Sequence, residues 1–373
     1  MPKLIDALFG KPEPLVPIPT GLYSYHTLPE AEIQYRLHLR VEPDGEGLLI
    51  VNASSVLHLN QTATEIAWHL MQGHDPDTTG AEIAKRYSVE AAEVTRDARE
   101  FLENLQAFIN KTDQEPVSSF GFEPHYNIEN LSAPYRLDCG LTYRYEPGQT
   151  DTELDTDAWK NMIRKAYQAG VPHFVFFGGD PTLRADLLEL LKYIEGLGLV
   201  SGLVTNSPKL NDENYVAALI AAGLDHLMVP LDPDQPRMTL AVKQILAQDL
   251  YTCVHLDIDD AHDFAPLLQE FQDSGINAFS FHPVSDEMVA RANEFADYIE
   301  QGTVNLVNDL PLPYEHPSRR LVSEMQEHYQ GDEAYVLLQV DPTGKVMTRS
   351  GEMLGDLLNE DFAAIWARRS TAA

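Results

Sequence analysis

Two cysteines in 373 residues, Cys139 and Cys253, leave little scope for a disulfide framework. That scarcity predicts a cytoplasmic protein that folds on its own core. Basic residues are also few: 26 Lys and Arg stand against 58 Asp and Glu, a formal net charge of −32. Nucleic acid and anionic lipid are bound mainly through Lys and Arg, so the balance argues against both as partners. It favours a basic partner or peptide, although a solvated acidic surface carries the same charge. The longest apolar runs fall far short of a membrane span. The first ten residues lack the basic start and continuous apolar core of a signal peptide. No G-x-S-x-G, P-loop or HExxH motif occurs. What is present is a globular composition, 44% hydrophobic and 23% charged, long enough for two or three domains.

The densest signal runs from His173 to Arg184. Phe174 to Phe177 is apolar without polar alternation, which suits a strand buried on both faces of a parallel sheet. Gly178, Gly179, Asp180 and Pro181 follow at once. Two glycines at a strand's C-terminal edge let a ligand approach the backbone and expose N–H groups. Asp180 can accept a hydrogen bond from an ammonium or hydroxyl group. Pro181 leads toward a helix with Leu187, Leu188, Leu190 and Leu191 on one broad face. A strand, turn and helix with no ligand would read the same way, so the flanks matter. Upstream, Leu154 to Trp159 opens a helix that reaches Gly170. Downstream, Gly198 to Asn206 holds the next strand.

With those flanks, the run from Leu154 to Asn206 resembles radical S-adenosylmethionine (SAM) enzymes of the peptide-modifying, SPASM-bearing kind. The resemblance implies an α/β fold, a partial (β/α)6 TIM-like barrel with ligands at the C-terminal ends of its strands. Six strand–helix beats between residues 134 and 302 agree with it: strands at 136–141, 173–177, 201–205, 226–230, 252–258 and 277–282. In the family, the first strand runs into a C-x3-C-x2-C loop that holds a 4Fe-4S cluster. Here Tyr145 stands at the first ligand position, and Glu146 to Thr150 replace the others. Cys139 lies inside the strand. Thiolates are the ordinary cluster ligands. The expectation is therefore no 4Fe-4S cluster and no cofactor, with SAM at most weakly bound at a vestigial motif of Gly178, Gly179, Asp180 and Pro181. Residues 303–373 are similar to a SPASM extension without cluster ligands, with strands at Tyr335–Val340 and Lys345–Thr348 about a turn at Pro342–Gly344.

Residues 1–34 are proline-rich and predict an extended, partly disordered lead. Residues 35–110 predict three short strands and three helices; 111–133 form a polar linker. The pattern through Val56, Asn60, Ile66 and Leu70, then Ile83, Tyr87, Val94 and Leu105, resembles the PqqD-like domain. That winged-helix-like α+β module, also called the RiPP recognition element, binds leader peptides of ribosomally made, modified peptides. The resemblance implies a free edge on the third strand, Ser55, Val56, Leu57, His58 and Leu59, open to an added peptide strand. Val94, Ala98, Phe101 and Leu102 are the candidates for the groove floor, though some must face the module's own core.

His255, Asp257 and His282, with Asp232 and Asp180, could hold a non-haem metal if all face the barrel mouth; polar lining of that mouth is the plainer reading. His69 and His74 read as a helix-end surface. Taken together, the resemblances imply a catalytically degenerate, peptide- or protein-binding chaperone or scaffold in peptide or cofactor maturation. Its partner would be a basic leader peptide or a cysteine-complete modifying enzyme. The alternatives are a SAM- or metal-dependent enzyme with non-radical chemistry, and a structural subunit of a larger assembly.

Overall fold

The computed structural model describes residues 18–27, 35–51, 55–87, 89–110, 131–149, 152–302, 304–307, 310–311, 337–348 and 351–371. The chain divides into two compact units, 1–126 and 127–373. Residues 1–17 of the expected lead and 111–130 of the expected 111–133 linker lie outside the described residues.

The first unit is built on an antiparallel sheet in the order β1 (Gly21–His26), β2 (Arg36–Val41), β3 (Gly47–Val51) and β4 (Ser55–Leu59). Leu37, Leu39, Val41, Leu49, Val51, Leu57 and Leu59 alternate onto one sheet face. That face packs with Ile66 of α1 (Gln61–Met71), Ile83 of α2 (Pro76–Arg86), and Val94 and Ala98 of α3 (Ala91–Asn110). The starts of α1 and α2 are specified locally. Asn60 Oδ1 accepts from the Ala63 N–H at 2.9 Å, and Asp75 Oδ1 from the Thr78 N–H at 2.7 Å, with Pro76 in the first turn. β1 falls within residues 1–34, read from the sequence as an extended, partly disordered lead, and places a sheet strand there. Six residues of it pair with β2, from Gly21 opposite Val41 to His26 opposite Arg36. Tyr23 packs edge-on against Trp68 at 6.1 Å.

The second unit holds a ten-stranded sheet. Its parallel heart is β5 (Arg136–Thr142), β6 (His173–Gly178), β7 (Val200–Val204), β8 (His226–Pro230), β9 (Tyr251–Ile258) and β10 (Ala278–Pro283). Helices follow in sequence: α4 (Thr156–Gln168), α5 (Leu187–Gly196), α6 (Glu213–Ala221), α7 (Pro236–Ile245), α8 (Ala265–Asp273) and α9 (Val289–Glu300). This is the expected α/β architecture. A 3-10 turn at Pro181–Leu183 precedes α5, which starts at Leu187. Val175, Phe177, Val204, Met228, Cys253 and Ala278 form one apolar layer on the inner face. A short β11 (Asn305–Leu306) extends β10, while β12 (Leu337–Val340) runs parallel to β5. β13 (Lys345–Thr348) and β14 (Met353–Asp356) continue antiparallel, and α10 (Phe362–Trp366) follows. Asp341 Oδ1 holds the β12–β13 turn by accepting from the N–H groups of Thr343 at 2.8 Å and Lys345 at 2.9 Å. No described helix is long and apolar enough to cross a membrane.

Candidate functional site

At the end of β6, the two glycines are demanded by the chain itself. Gly178 has φ +124°, and a Cβ there would lie 2.5 Å from the Thr142 carbonyl oxygen. A Cβ on Gly179 would lie 2.0 Å from the Arg144 carbonyl oxygen. The N–H groups expected to face a ligand are turned to the same loop. Gly179 N–H donates to Thr142 O at 2.8 Å and Asp180 N–H to Arg144 O at 2.6 Å.

That loop, from Tyr143 to Gln149, occupies the place where the resemblance puts cysteines. An ion lattice ties it down. Arg144 grips Glu153 with two bonds of 2.8 and 2.9 Å. Thr142 Oγ1 also meets Glu153. Arg184, buried, reaches Glu153 at 3.5 Å, the carbonyls of Leu141 and Leu154 at 3.3 and 3.1 Å, and Asp186 at 2.9 and 2.7 Å. Burial raises the Asp186 pKa, but bonds from Arg184 and Thr156 outweigh it and hold the carboxyl below its usual range. Sequence reasoning missed this lattice, because its partners stand between 2 and 43 residues apart with no motif to join them.

Asp180 caps the following 3-10 turn. Its Oδ1 accepts from Thr182 N–H at 3.0 Å, Thr182 Oγ1–H at 2.7 Å and Thr205 Oγ1–H at 3.0 Å. Ser207 lies 2.8 Å from Thr182 Oγ1, and Lys209 Nζ donates to Thr182 O at 2.5 Å. Burial and then the Asp180 charge push the Tyr215 hydroxyl up to about 12. Thr182, Thr205, Ser207, Lys209 and Tyr215 were not singled out from the sequence; the polar run after Val204 was the available signal.

The C-terminal ends of β9 and β10 bring His255, Asp257 and His282 together. His255 Nδ1 is 3.1 Å from Ser280 Oγ and its Nε2 is 3.4 Å from Asp257 Oδ1. The two imidazole rings are 5.0 Å apart. Asp180 and Asp232 do not join them as ligands: among the described residues no group of three or more His, Cys, Asp or Glu is disposed to hold a metal ion.

In the N-terminal unit, β4 is an edge strand, as is β1 at the other side of the sheet, and it pairs with β3 from Ser55 opposite Val51 to Leu59 opposite Gly47. Leu57 and Leu59 point into the core, and His58 points the other way. Burial, then the Arg40 charge, lowers the His58 pKa to about 4. The groove-floor expectation needs correction. Val94, Ala98 and Phe101 are core residues of the module, and only Leu102 of the four remains half-buried.

The chain thus combines, in sequence order, a small sheet-and-helix module and a parallel α/β domain with polar groups at its strand ends. Residues 136–285 match the Radical SAM superfamily model, and residues 47–107 match coenzyme PQQ synthesis protein D. The chain thus carries a radical SAM domain behind a PqqD domain. Similar curated proteins include the PqqA peptide cyclase of Rhodopseudomonas palustris, 37% identical over 99 residues, covering 26% of this chain and 25% of that protein. That of Methylocella silvestris is 34% identical over 100 residues, covering 26% of each. The matched stretch therefore spans about a quarter of these relatives. Among solved structures, Streptococcus suis SuiB bound to S-adenosylmethionine aligns with TM-score 0.55 and 17% identity, over 88% of this chain and 86% of that one. SuiB bound to precursor peptide SuiA aligns with TM-score 0.54 and 16% identity over the same shares. These two share the fold.

The matches correct the expectation of a chain without cofactors. A radical SAM domain implies SAM and a 4Fe-4S cluster, and one structural neighbour is SAM-bound. The residues present do not fit the cluster by the usual route. Cys139 and Cys253 are both buried, with β6, β7 and β8 between their strands. They also alternate onto opposite sheet faces, since Cys253 shares the inner layer with Val175 while Cys139 pairs with Phe176. Burial, then Asp138, raises the Cys139 pKa and keeps the thiol protonated. Tyr145 and Gln149 hold the loop instead, through a 2.7 Å bond from the Tyr145 N–H to Gln149 Oε1.

Proposed function

We propose that this protein captures a peptide on its PqqD module and supports that peptide's modification as a scaffold or chaperone. One observation carries the reading. β4 is one of the two edge strands of the module's sheet, β1 being the other, and an edge strand offers backbone N–H and C=O groups that an extended peptide satisfies by adding a strand. Leu57 and Leu59 anchor β4 from the core side. The acidic balance of the chain favours a leader with Lys or Arg and speeds its association. PqqA peptide cyclases, the relatives, are named for a peptide substrate, which agrees with a peptide partner. Placement of both thiols inside strands supports the scaffold role, with a cysteine-complete enzyme as the companion.

Amide exchange tests the capture. The full chain is compared with and without the precursor peptide encoded beside its gene. Slower exchange at residues 57–59 is the expected result. Unchanged exchange there, while binding is measured by calorimetry, would place the peptide elsewhere and sink this reading. A second reading, in which the chain itself acts on the peptide with SAM at its strand ends, draws on the radical SAM match and on Asp180 beside Gly179. Mass change of the peptide on incubation with SAM, reductant and this protein alone would decide for it.

A further inference from the structure

Among the described residues the ten-stranded sheet ends differently on its two sides. β11, at one side, has two residues and is too short to template a further strand. β14, at the other, has four, Met353–Asp356. An edge strand presents N–H and C=O groups to any extended chain that meets it, a second copy of itself included. On β14 those groups already have partners. Leu357 N–H donates to Gly344 O at 2.9 Å, and Gly355 stands opposite Val346. By the antiparallel alternation Gly355 faces β13, so the Leu354 carbonyl and the Asp356 N–H on either side of it face away. Arg368 Nη1 donates to that carbonyl at 2.7 Å, and Glu360 Oε1 accepts from that N–H at 2.8 Å. The two side chains also hold each other. Arg368 Nη2 donates to Glu360 Oε2, and Nη1 donates to Oε1 at 3.3 Å.

We propose that Glu360 and Arg368 form a guard that closes the β14 edge against strand addition by a second copy of this chain. The pair supplies what an added strand would supply, an acceptor for an N–H and a donor for a C=O. Gly355 gives separate support. A Cβ there would lie 2.7 Å from Arg368 Nη1 and 2.9 Å from Glu360 Oε1, so the ion pair lies across the strand where only glycine leaves room. The fold fixes both guards from one element. Glu360 and Arg368 flank α10, whose Phe362, Ile365 and Trp366 are buried. Trp366 Nε1 donates to the Leu131 carbonyl at 2.8 Å and so ties α10 to the start of the second unit. Bonds from Arg368, then from the Asp356 N–H, hold the Glu360 carboxyl below its usual range, which keeps it an acceptor at neutral pH. The edge has something to hide. Met353 is 61% exposed, and a second β14 laid antiparallel would cover it in a self-complementary, closed contact. A bulge between Val346 and Met347 also disturbs this edge, and it stays in place when the guard is removed.

The test measures self-association of the full chain by sedimentation velocity over a concentration series at neutral pH. The double variant Glu360→Ala/Arg368→Ala should associate about tenfold or more tightly than the parent, as two backbone hydrogen bonds made between copies warrant, and should still melt cooperatively. Met353→Lys added to the double variant should restore the parent behaviour, because like charges facing each other across an edge oppose pairing. Should the double variant fail to fold, Arg368→Gln carries the test. It opens the Leu354 carbonyl alone and should raise association by a smaller factor. Unchanged association in a folded variant would overturn the proposal. So would association that Met353→Lys leaves in place, or a parent chain whose own association Met353→Lys abolishes.

Discussion

Gly179 has no room for a side chain, because the carbonyl of Arg144 would sit 2.0 Å from its Cβ. A backbone atom cannot rotate away as a flexible side chain can. Gly179→Ala should therefore destabilise the protein by roughly 3 kcal/mol or more, measured by urea denaturation, since overpacking against fixed atoms costs in that range. A loss under ~1 kcal/mol would mean that the loop yields easily. The need for glycine was legible in Gly178–Gly179–Asp180. What fills the space was not: a glycine shows that something comes close, and here the neighbour is Thr142 and Arg144 rather than a ligand. His58 gives a residue-scale pH effect. Its pKa is lowered from 6.5 to about 4, first by burial and then by Arg40. Above 6.5 His58 is neutral folded and unfolded, so its contribution is whole. As pH falls from 6.5 toward about 4, the unfolded chain takes up a proton that the folded chain refuses, and stability drops. Melting temperature across that window should fall less steeply in His58→Gln than in the parent protein; parallel curves would show that other groups set the acid response.

Elements with continuous apolar runs or helical spacing were legible, and those held in place by a neighbour were not. β6 declares itself by Phe174 to Phe177, all fully buried, and α1 by Asn60 and the spacing of Ile66 and Ala67. β1 carries no such sign. Its six residues are half-buried or exposed, and it is a strand because β2 offers it a partner. β14 likewise depends on β13, with Met353 exposed. The segment joining β5 to α4 is the strongest case, because a lattice of ions gives it shape. Glu153 receives Arg144 and Arg184, so its replacement leaves two guanidinium groups short of a counter-charge. Glu153→Gln should cost about 1–3 kcal/mol in chemical denaturation, less than a fully buried pair because Glu153 and Arg144 are part-exposed. The coupling with Arg144→Met, read from a double-mutant cycle, should be about 1–3 kcal/mol. Additive losses would show that the bidentate contact of 2.8 and 2.9 Å contributes nothing of its own.

Across the whole chain, two opposing electrostatic effects respond to salt, and their balance can be argued. Exposed pairs such as Lys85 with Glu82, Arg99 with Asp77 and Lys243 with Glu270 are attractive, and salt weakens them. Each contributes little, because water already screens it and ordering two long side chains is costly. Against them stands the repulsion of 58 acidic residues facing only 26 basic ones. Repulsion acts over many pairs at once and at longer range, so it loses more when the screening length shrinks from about 10 Å at 0.1 M salt to about 3 Å at 1 M. The ion pairs that shape the second unit, Arg184 with Asp186 and Arg136 with Asp138, are buried and so less exposed to screening. Repulsion should therefore decide the sign, and the melting temperature should rise with sodium chloride over that range. The same screening should slow association of a basic peptide, because attraction between unlike charges is what speeds its approach. Stability and on-rate should move in opposite directions along one salt series, the first followed by thermal melting and the second by stopped-flow fluorescence of a labelled peptide. A melting temperature that falls with salt would show that the surface pairs outweigh the net charge. An on-rate indifferent to salt would show that the acidic surface takes no part in drawing the peptide in.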